Sequence, residues 1–229
     1  MAGLSSGMTT VGFIGSGNIG GTVARLAAAA GHDVVLSNSR GPDTLTDLAA
    51  ELGERARAAT ATEAAEAADI VVVSVPYRAV RALPVEQLAG KVVLDTNNYY
   101  AARDGHVAEL DDNRITSSEL EQRQLGGARL VKVFNNIYFA HLRSLPRPAG
   151  AADRTALTIA GDDAEAKRAA TAFLDSIGYD AVDIGALADS WRVQPGQPAY
   201  GPPYGSVDDP AGTPAGAGKV RAAVDAATR

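Results

Sequence analysis

The chain has 229 residues, no cysteine and a net charge of −6. The missing cysteines exclude disulfides, thiolate metal sites and cysteine nucleophiles, and the acidic balance argues against a general nucleic-acid binder. No apolar run approaches the roughly 20 residues that span a bilayer, so no membrane role is expected, and the length suits one sizeable core or two small domains.

The opening MAGLSSGMTT lacks the basic and apolar regions of a signal peptide. Residues 1–9 therefore read as a flexible leader, with Met8 as an alternative start to Met1, and a cytoplasmic location is expected. A strand is predicted over Val11–Ile14, and Gly15, Gly17 and Gly20 follow it as G-x-G-x-x-G. A helix then runs from about Asn18 to Ala30, with Ile19, Val23, Leu26 and Ala30 on one face and Gly31 as its stop. A second strand covers Val34–Leu36. In that order the three glycines serve a tight turn, close approach of a pyrophosphate, and helix–strand packing. The pyrophosphate would sit on the positive end of the helix.

Proteins that bind NAD place an acid roughly 20 residues further on to hold the ribose 2′-hydroxyl. Here the stretch is Ser37, Asn38, Ser39, Arg40, without an acid. Hydroxyls and an amide suit a 2′-phosphate, and a guanidinium pairs with it or stacks on adenine. The expected dinucleotide is NADP(H), the alternative being a polar turn with a solvated Arg40.

Strands and helices continue to alternate. A helix is predicted over Pro42–Leu52, with Leu45, Leu48 and Leu52 inward and Pro42 in its first turn. Strands follow at Arg57–Thr60, Asp69–Val75, Lys91–Asp95, Leu130–Phe134 and Ala156–Ala160, the continuously apolar ones reading as buried parallel strands. Asp162 with Glu165 resembles a capping box opening a helix that buries Ala166, Ala170, Phe173 and Ile177 and stops at Gly178. Tyr179–Ile184 is an eighth strand. Six of the eleven prolines lie between Pro195 and Pro214. Residues 195–229 therefore form a Pro/Gly-rich C-terminal arm, either lying on the protein or serving as a linker, with a closing helix near Ala217–Ala227. The fold class is α/β: a Rossmann-type, doubly wound, mainly parallel sheet of about eight strands over residues 10–194.

Regular structure ends near residue 190, which leaves no room for an appended helical domain. A substrate is therefore expected at the carboxyl ends of the strands. The loops there are Ser74–Tyr77, Thr96–Tyr100 and Asn135–Tyr138. They are rich in amides and aromatics and poor in acids and bases. The asparagines suit the edges of a planar heterocycle, and Tyr77, Tyr99 and Tyr138 suit stacking or closing over it. The competing readings make the asparagines turn formers and Pro76 a strand terminator. Lys132 and Asp95 read as structural. Among the histidines, His32 reads as a surface residue, His106 as part of a polar loop, and His141 as packed or solvated near the crevice. No metal spacing, G-x-S-x-G or triad pattern appears.

GFIGSGNIGGTVARLAAAAGHDVVLSNSR, DIVVVSVPYRAV, KVVLDTNNYY, LVKVFNNIYFAHL and LADSWR resemble the coenzyme F420-dependent NADP oxidoreductase family, over about residues 10–194. The two asparagine segments also resemble the NADPH-oxidising domain of six-transmembrane epithelial antigen metalloreductases, whose transmembrane half has no counterpart here. The resemblance implies an enzyme, an oxidoreductase moving hydride between NADP(H) and a deazaflavin (coenzyme F420) or a related flavin. The arm does not resemble the end of the archaeal deazaflavin enzymes. Such a reaction needs ring stacking and exclusion of water rather than a catalytic acid, and no catalytic residue is assigned.

The expected cofactor site is Gly15, Ser16, Gly17, Asn18 and Ile19 on the pyrophosphate and Asn38, Ser39 and Arg40 on the 2′-phosphate. Val75, Pro76 and Asn97 border the nicotinamide. Asn98, Asn135, Asn136 and Ile137 border the acceptor ring, a small-molecule redox partner. Reduction of another acceptor (a flavin, quinone or imine) and a non-catalytic NADP(H) sensor binding a protein through the arm are the alternatives. A homodimer is expected, with the arm from Pro195 to Pro214 embracing the second subunit.

Overall fold

Strands covered by helices on both faces send alternate residues into two separate cores. The computed structural model describes residues 8–229 and shows this division; residues 1–7, most of the expected leader, lie outside the described residues. In chain order the elements are β1 (Thr10–Ile14), α1 (Asn18–Ala29), β2 (Asp33–Ser37), α2 (Thr46–Leu52), β3 (Ala56–Ala58), α3 (Ala61–Ala67) and β4 (Ile70–Val73). Then come α4 (Val85–Leu88), β5 (Val92–Asp95), α5 (Ala101–Asp104), α6 (Ala108–Asp111), α7 (Ser117–Leu125) and β6 (Arg129–Lys132). The chain closes with α8 (Phe139–Ser144), β7 (Ala156–Gly161), α9 (Ala164–Ser176), β8 (Asp180–Asp183) and α10 (Ala217–Asp225).

The eight strands form one sheet in the order β3-β2-β1-β4-β5-β6-β7-β8. All pairings are parallel except β6 with β7. The order reverses between β1 and β4, so a crevice opens there at the carboxyl ends of the strands. Val11, Phe13, Val34, Leu36, Val72, Leu94 and Val131 face one core with α1, α8 and α9. Ile14, Val71, Val73, Val93 and Leu130 face the other with α3, α7 and the segment around Leu187. This is the expected Rossmann-type α/β fold.

Several local expectations shift. Pro42–Leu45 is a 3-10 turn leading into α2 rather than the first turn of one α-helix. The β6 strand ends at Lys132, and Phe134, expected within it, is fully buried in a left-handed conformation at φ 64°. A non-glycine residue there costs on the order of 1–3 kcal/mol, so the surrounding packing holds it. The cap of α9 is Asp163, whose carboxylate accepts from the Ala166 N–H at 2.7 Å. Asp162 instead accepts from the Leu187 N–H at 2.9 Å, and Glu165 closes no box. Two boxes that the sequence reading passed over are present, Thr60 with Glu63 and Thr116 with Glu119, opening α3 and α7. His32 is 9% exposed and hydrogen-bonds Ser176 at 2.9 Å, because the turn after α1 tucks it against Phe173.

The arm is ordered and folded onto its own chain. Tyr204 is fully buried, and its hydroxyl donates to the Ala156 carbonyl at 3.1 Å. The Ala156 N–H donates to the Ala215 carbonyl at 2.8 Å. His141, 1% exposed, sits against the carbonyls of Ser206 and Asp209 at 3.2 and 2.8 Å. Val220 and Val224 of α10 are buried, and that helix packs on β7 and β8. Of the two readings of the arm, lying on the protein or serving as a linker, the structure shows the first, since prolines without N–H groups still leave enough donors and apolar side chains to anchor the strap.

Candidate functional site

The glycine loop joins β1 to α1, and its three glycines differ in what surrounds them. Gly15 has φ 101°, and a Cβ there would overlap the Ser74 carbonyl. A Cβ on Gly20 would overlap the Gly15 carbonyl. Nothing in the protein lies within 4 Å of a Cβ on Gly17, which is exposed at the N-cap of α1. Two glycines are therefore required by the fold, and the third leaves an open cradle. No side chain caps α1, and its first turn holds no acid, whereas α3, α7 and α9 each carry a side-chain cap. Helix N–H groups left without partners attract an anion. Gly17→Ala is expected to leave the melting temperature unchanged while weakening NADP(H) binding about tenfold or more, read by thermal unfolding and nucleotide titration.

Beyond β2, Ser37 is buried and donates to the Phe13 carbonyl at 2.7 Å. Asn38, expected on the 2′-phosphate, instead shapes the turn. Its Oδ1 accepts from the Arg40 N–H at 2.8 Å, and its Nδ2 donates to Thr44 Oγ1 at 2.9 Å. Ser39 and Arg40 are exposed, and their side chains have no polar partner among the described residues.

A continuous line of contacts runs along the carboxyl edge of the sheet. Ser74, after β4, lies against Gly15 and Gly20. The next residue, Val75, donates its N–H to Asn97 Oδ1 at 2.9 Å. Asn98 Nδ2 donates to the Asn135 carbonyl at 2.8 Å, and Asn135 Nδ2 donates to the Val193 carbonyl at 2.8 Å. Asn135 is 4% exposed, and its Oδ1 has no hydrogen-bond partner. Pro76 is exposed beside Val75.

Other expected contacts are withdrawn by burial. The Asn97 side chain turns from the crevice into a buried network beneath it. Asn136 is 1% exposed; its Nδ2 donates to the Ala199 carbonyl at 2.9 Å, so it clamps the arm rather than bordering a ligand. Ile137 is buried in the core. Tyr77 is 5% exposed and packs edge-on against Tyr99, so neither ring is free to close over the crevice as expected. Tyr99 is further tied by its hydroxyl to Asp111 at 2.6 Å. Tyr138 packs edge-on against Phe139 and His141.

The buried network joins Lys132, Asp95, Asn97, Ser118 and Glu121. Lys132 pairs with Asp95 at 2.9 Å and also donates to the Asn97 carbonyl. Asp95 accepts from Ser118 Oγ at 2.8 Å and from the Asn97 N–H at 2.7 Å. Asn97 Nδ2 donates to both Glu121 oxygens, at 3.2 and 3.1 Å. Burial, then the charge of Asp95, pushes the Glu121 carboxyl well above the usual range. The structural reading of Lys132 and Asp95 holds, and their effect is to fix the Val75–Pro76 backbone. Glu121 was missed because its helix, α7, was missed; the signal was Thr116-x-x-Glu119.

A groove of about 790 Å³ lies between α9 and β8. It is at the opposite edge of the sheet from β3, five strands beyond β1, and Lys167 and Asp183 pair across it at 2.8 Å. Among the described residues no cluster of side chains suits a metal ion, and no helix is long and apolar enough to cross a membrane.

Residues 10–99 match the family described as NADP oxidoreductase, coenzyme F420-dependent. A hypothetical protein from Sinorhizobium meliloti has 29% identity and a TM-score of 0.71, over 85% of this chain and 94% of that one. A candidate F420-dependent NADP-reductase from Arthrobacter sp. FB24 has 27% identity and a TM-score of 0.66, over 80% and 87%. Metalloreductase STEAP3 from Rattus norvegicus is 28% identical over 80% of this chain but only 35% of its own length. The chain thus spans little more than a third of the curated relatives it matches. Solved structures below 25% identity, a 3-hydroxyisobutyrate dehydrogenase from Mycobacterium tuberculosis among them at 20%, share the fold. The resemblance to the F420-dependent NADP oxidoreductases is shown, and the chain is related to NADP-dependent oxidoreductases.

Proposed function

We propose that this relative of the F420-dependent NADP oxidoreductases transfers hydride between NADP(H) and a deazaflavin or related flavin-like ring. The observation that carries the reading is the pairing of an uncapped α1 behind an open Gly17 with an acid-free β2 end and an unpartnered Arg40. Gly15, Ser16, Gly17, Asn18 and Ile19 would hold the pyrophosphate through backbone N–H groups, and Ser39 and Arg40 the 2′-phosphate.

Bound NADP(H) supplies or takes up a hydride at its nicotinamide ring. The chain's contribution is placement. Val75 and Pro76, tethered through Asn97 to Lys132 and Glu121, form a rigid wall beside the ring. Holding two planar rings at reacting distance removes most of the entropic barrier, and no acid or base is needed for the hydride itself. Asn98, partly exposed, offers a polar side chain on the side away from the glycine loop, where the acceptor would lie, and the buried Asn135 supports it from behind through its carbonyl. Asn97, Asn136 and Ile137 act from behind the surface.

NADPH oxidation with 8-hydroxy-5-deazaflavin, FMN and a benzoquinone measured side by side tests the reading. Deazaflavin turnover at least about tenfold above the others is expected. Preference for the quinone would make the protein a reductase of another acceptor. NADPH binding without turnover would make it a sensor.

A further inference from the structure

The sheet uses only one side of β8. The Asp180 N–H donates to the Thr155 carbonyl at 3.0 Å and the Ile184 N–H to the Ile159 carbonyl at 2.9 Å, so alternate residues bond β7. The residues between them, Ala181 and Asp183, turn their backbone groups outward, and β8 is the last strand of the sheet. An open edge invites another strand, and proteins often guard one with charges. Here those charges are already balanced within the chain. Asp183 pairs with Lys167 at 2.8 Å, and Asp180 pairs with the buried Arg154 at 3.2 Å.

Beside this edge one face of α9 lines the groove at helical spacing: Ala164, Arg168, Thr171, Ala172 and Asp175. Thr171 and Ala172 are small and exposed at its middle. Arg168 lies one turn before them and Asp175 one turn after. An antiparallel copy of the helix crossing at that midpoint sets Arg168 of each copy opposite Asp175 of the other, and a single two-fold axis generates both contacts. The strand shares that axis. Lys167 of α9 stands level with Asp183, while Arg154 ties Asp175, at 2.8 Å, to Asp180. The midpoint between Thr171 and Ala172 is therefore level with Ala181 and Val182, the middle of β8.

We propose that β8 and α9 form a two-fold interface between two copies of this chain. The sheets join edge to edge through the outward backbone groups of Ala181 and Asp183, and the two α9 helices lie antiparallel over the seam. Each helix then fills the groove of the other copy. Arg168 has only a loose pair with Glu165 on its own helix, at 3.5 Å and largely exposed, to give up. A different protein has no reason to meet opposite charges placed evenly about the centre of the strand; a second copy does. The seam lies five strands from β1, so each copy keeps its own nucleotide loop and crevice.

Sedimentation equilibrium of the full chain, from about 1 to 50 μM, tests this, with a species of twice the chain mass expected at the upper end. R168E reverses a charge and A172R fills the small centre, and each is expected to raise the dissociation constant at least about tenfold. D175R should do the same. An equimolar mixture of R168E and D175R should form dimers again, because both contacts then join opposite charges. Unchanged NADP⁺ affinity shows that each variant is folded. A monomeric native chain overturns the proposal. Dimers that survive both R168E and A172R overturn it too, since they place the contact on another face. So does a mixture of folded R168E and D175R that stays monomeric. Should D175R misfold for want of its pair with Arg154, native-like dimers of A172R overturn the proposal on their own.

Discussion

Arg40→Ala is expected to weaken NADPH binding about tenfold to hundredfold and to leave NADH binding nearly unchanged. The estimate follows from a charge-assisted contact to the 2′-phosphate worth on the order of 1.5–3 kcal/mol. The fold should not suffer. The turn is held by Asn38, whose amide accepts from the Arg40 backbone at 2.8 Å and donates to Thr44 at 2.9 Å. The guanidinium itself has no partner among the described residues. Titration of both nucleotides into the native and variant chains measures the effect. The difference should shrink as salt rises, because this charge is exposed. Equal weakening of NADPH and NADH would remove Arg40 from the phosphate site.

Lys132→Met is expected to cost about 3–5 kcal/mol of stability, a fall of about 6–20 °C in melting temperature for a chain of this size. Lys132 and Asp95 are 1% and 0% exposed, so removing the ammonium leaves a carboxylate in a dry interior. Neutralising both, in Lys132→Met with Asp95→Asn, should recover part of the loss, as a double-mutant cycle would show. Glu121→Gln should cost less than about 1 kcal/mol, because burial and Asp95 already favour the neutral acid. The sign with pH follows. A carboxyl raised in the folded state contributes stability in full below about pH 4.3, and that contribution fades as pH rises through the raised value. Glu121→Gln should flatten this slope in denaturant titrations across pH. A steep loss in Glu121→Gln at neutral pH would mean that the network holds two carboxylates as anions.

Local order in the sequence determined the sheet and the nucleotide loop. The central strands β1, β2, β4 and β5 contain short apolar runs, and Gly15, Gly17 and Gly20 sit between one such run and a helix. These signals span a few residues, and alternation of strand and helix restricts how they can assemble. The absence of an acid from Ser37 to Arg40 is equally local. Short helices were less legible: α3 and α7 span 7 and 9 residues, and their Thr-x-x-Glu caps were overlooked, while Asp162 was preferred over its neighbour Asp163.

Tertiary structure decided which of the loop asparagines are buried away from the crevice. Asn97, Asn98, Asn135 and Asn136 are chemically alike and nearly adjacent in two loops, yet two of them are committed to the network and the arm. Composition carries no trace of that division, because a buried amide is oriented by whichever distant group completes its hydrogen bonds. Glu121 and Asn97 are 24 residues apart, and Asn136 and Ala199 are 63 apart. The arm shows the same limit. Its prolines predicted irregularity correctly, but only the seat of Tyr204 beneath Ala156 made it a wall of the molecule instead of a tail. Folding places such a segment by contacts with residues far along the chain, and no local pattern encodes them.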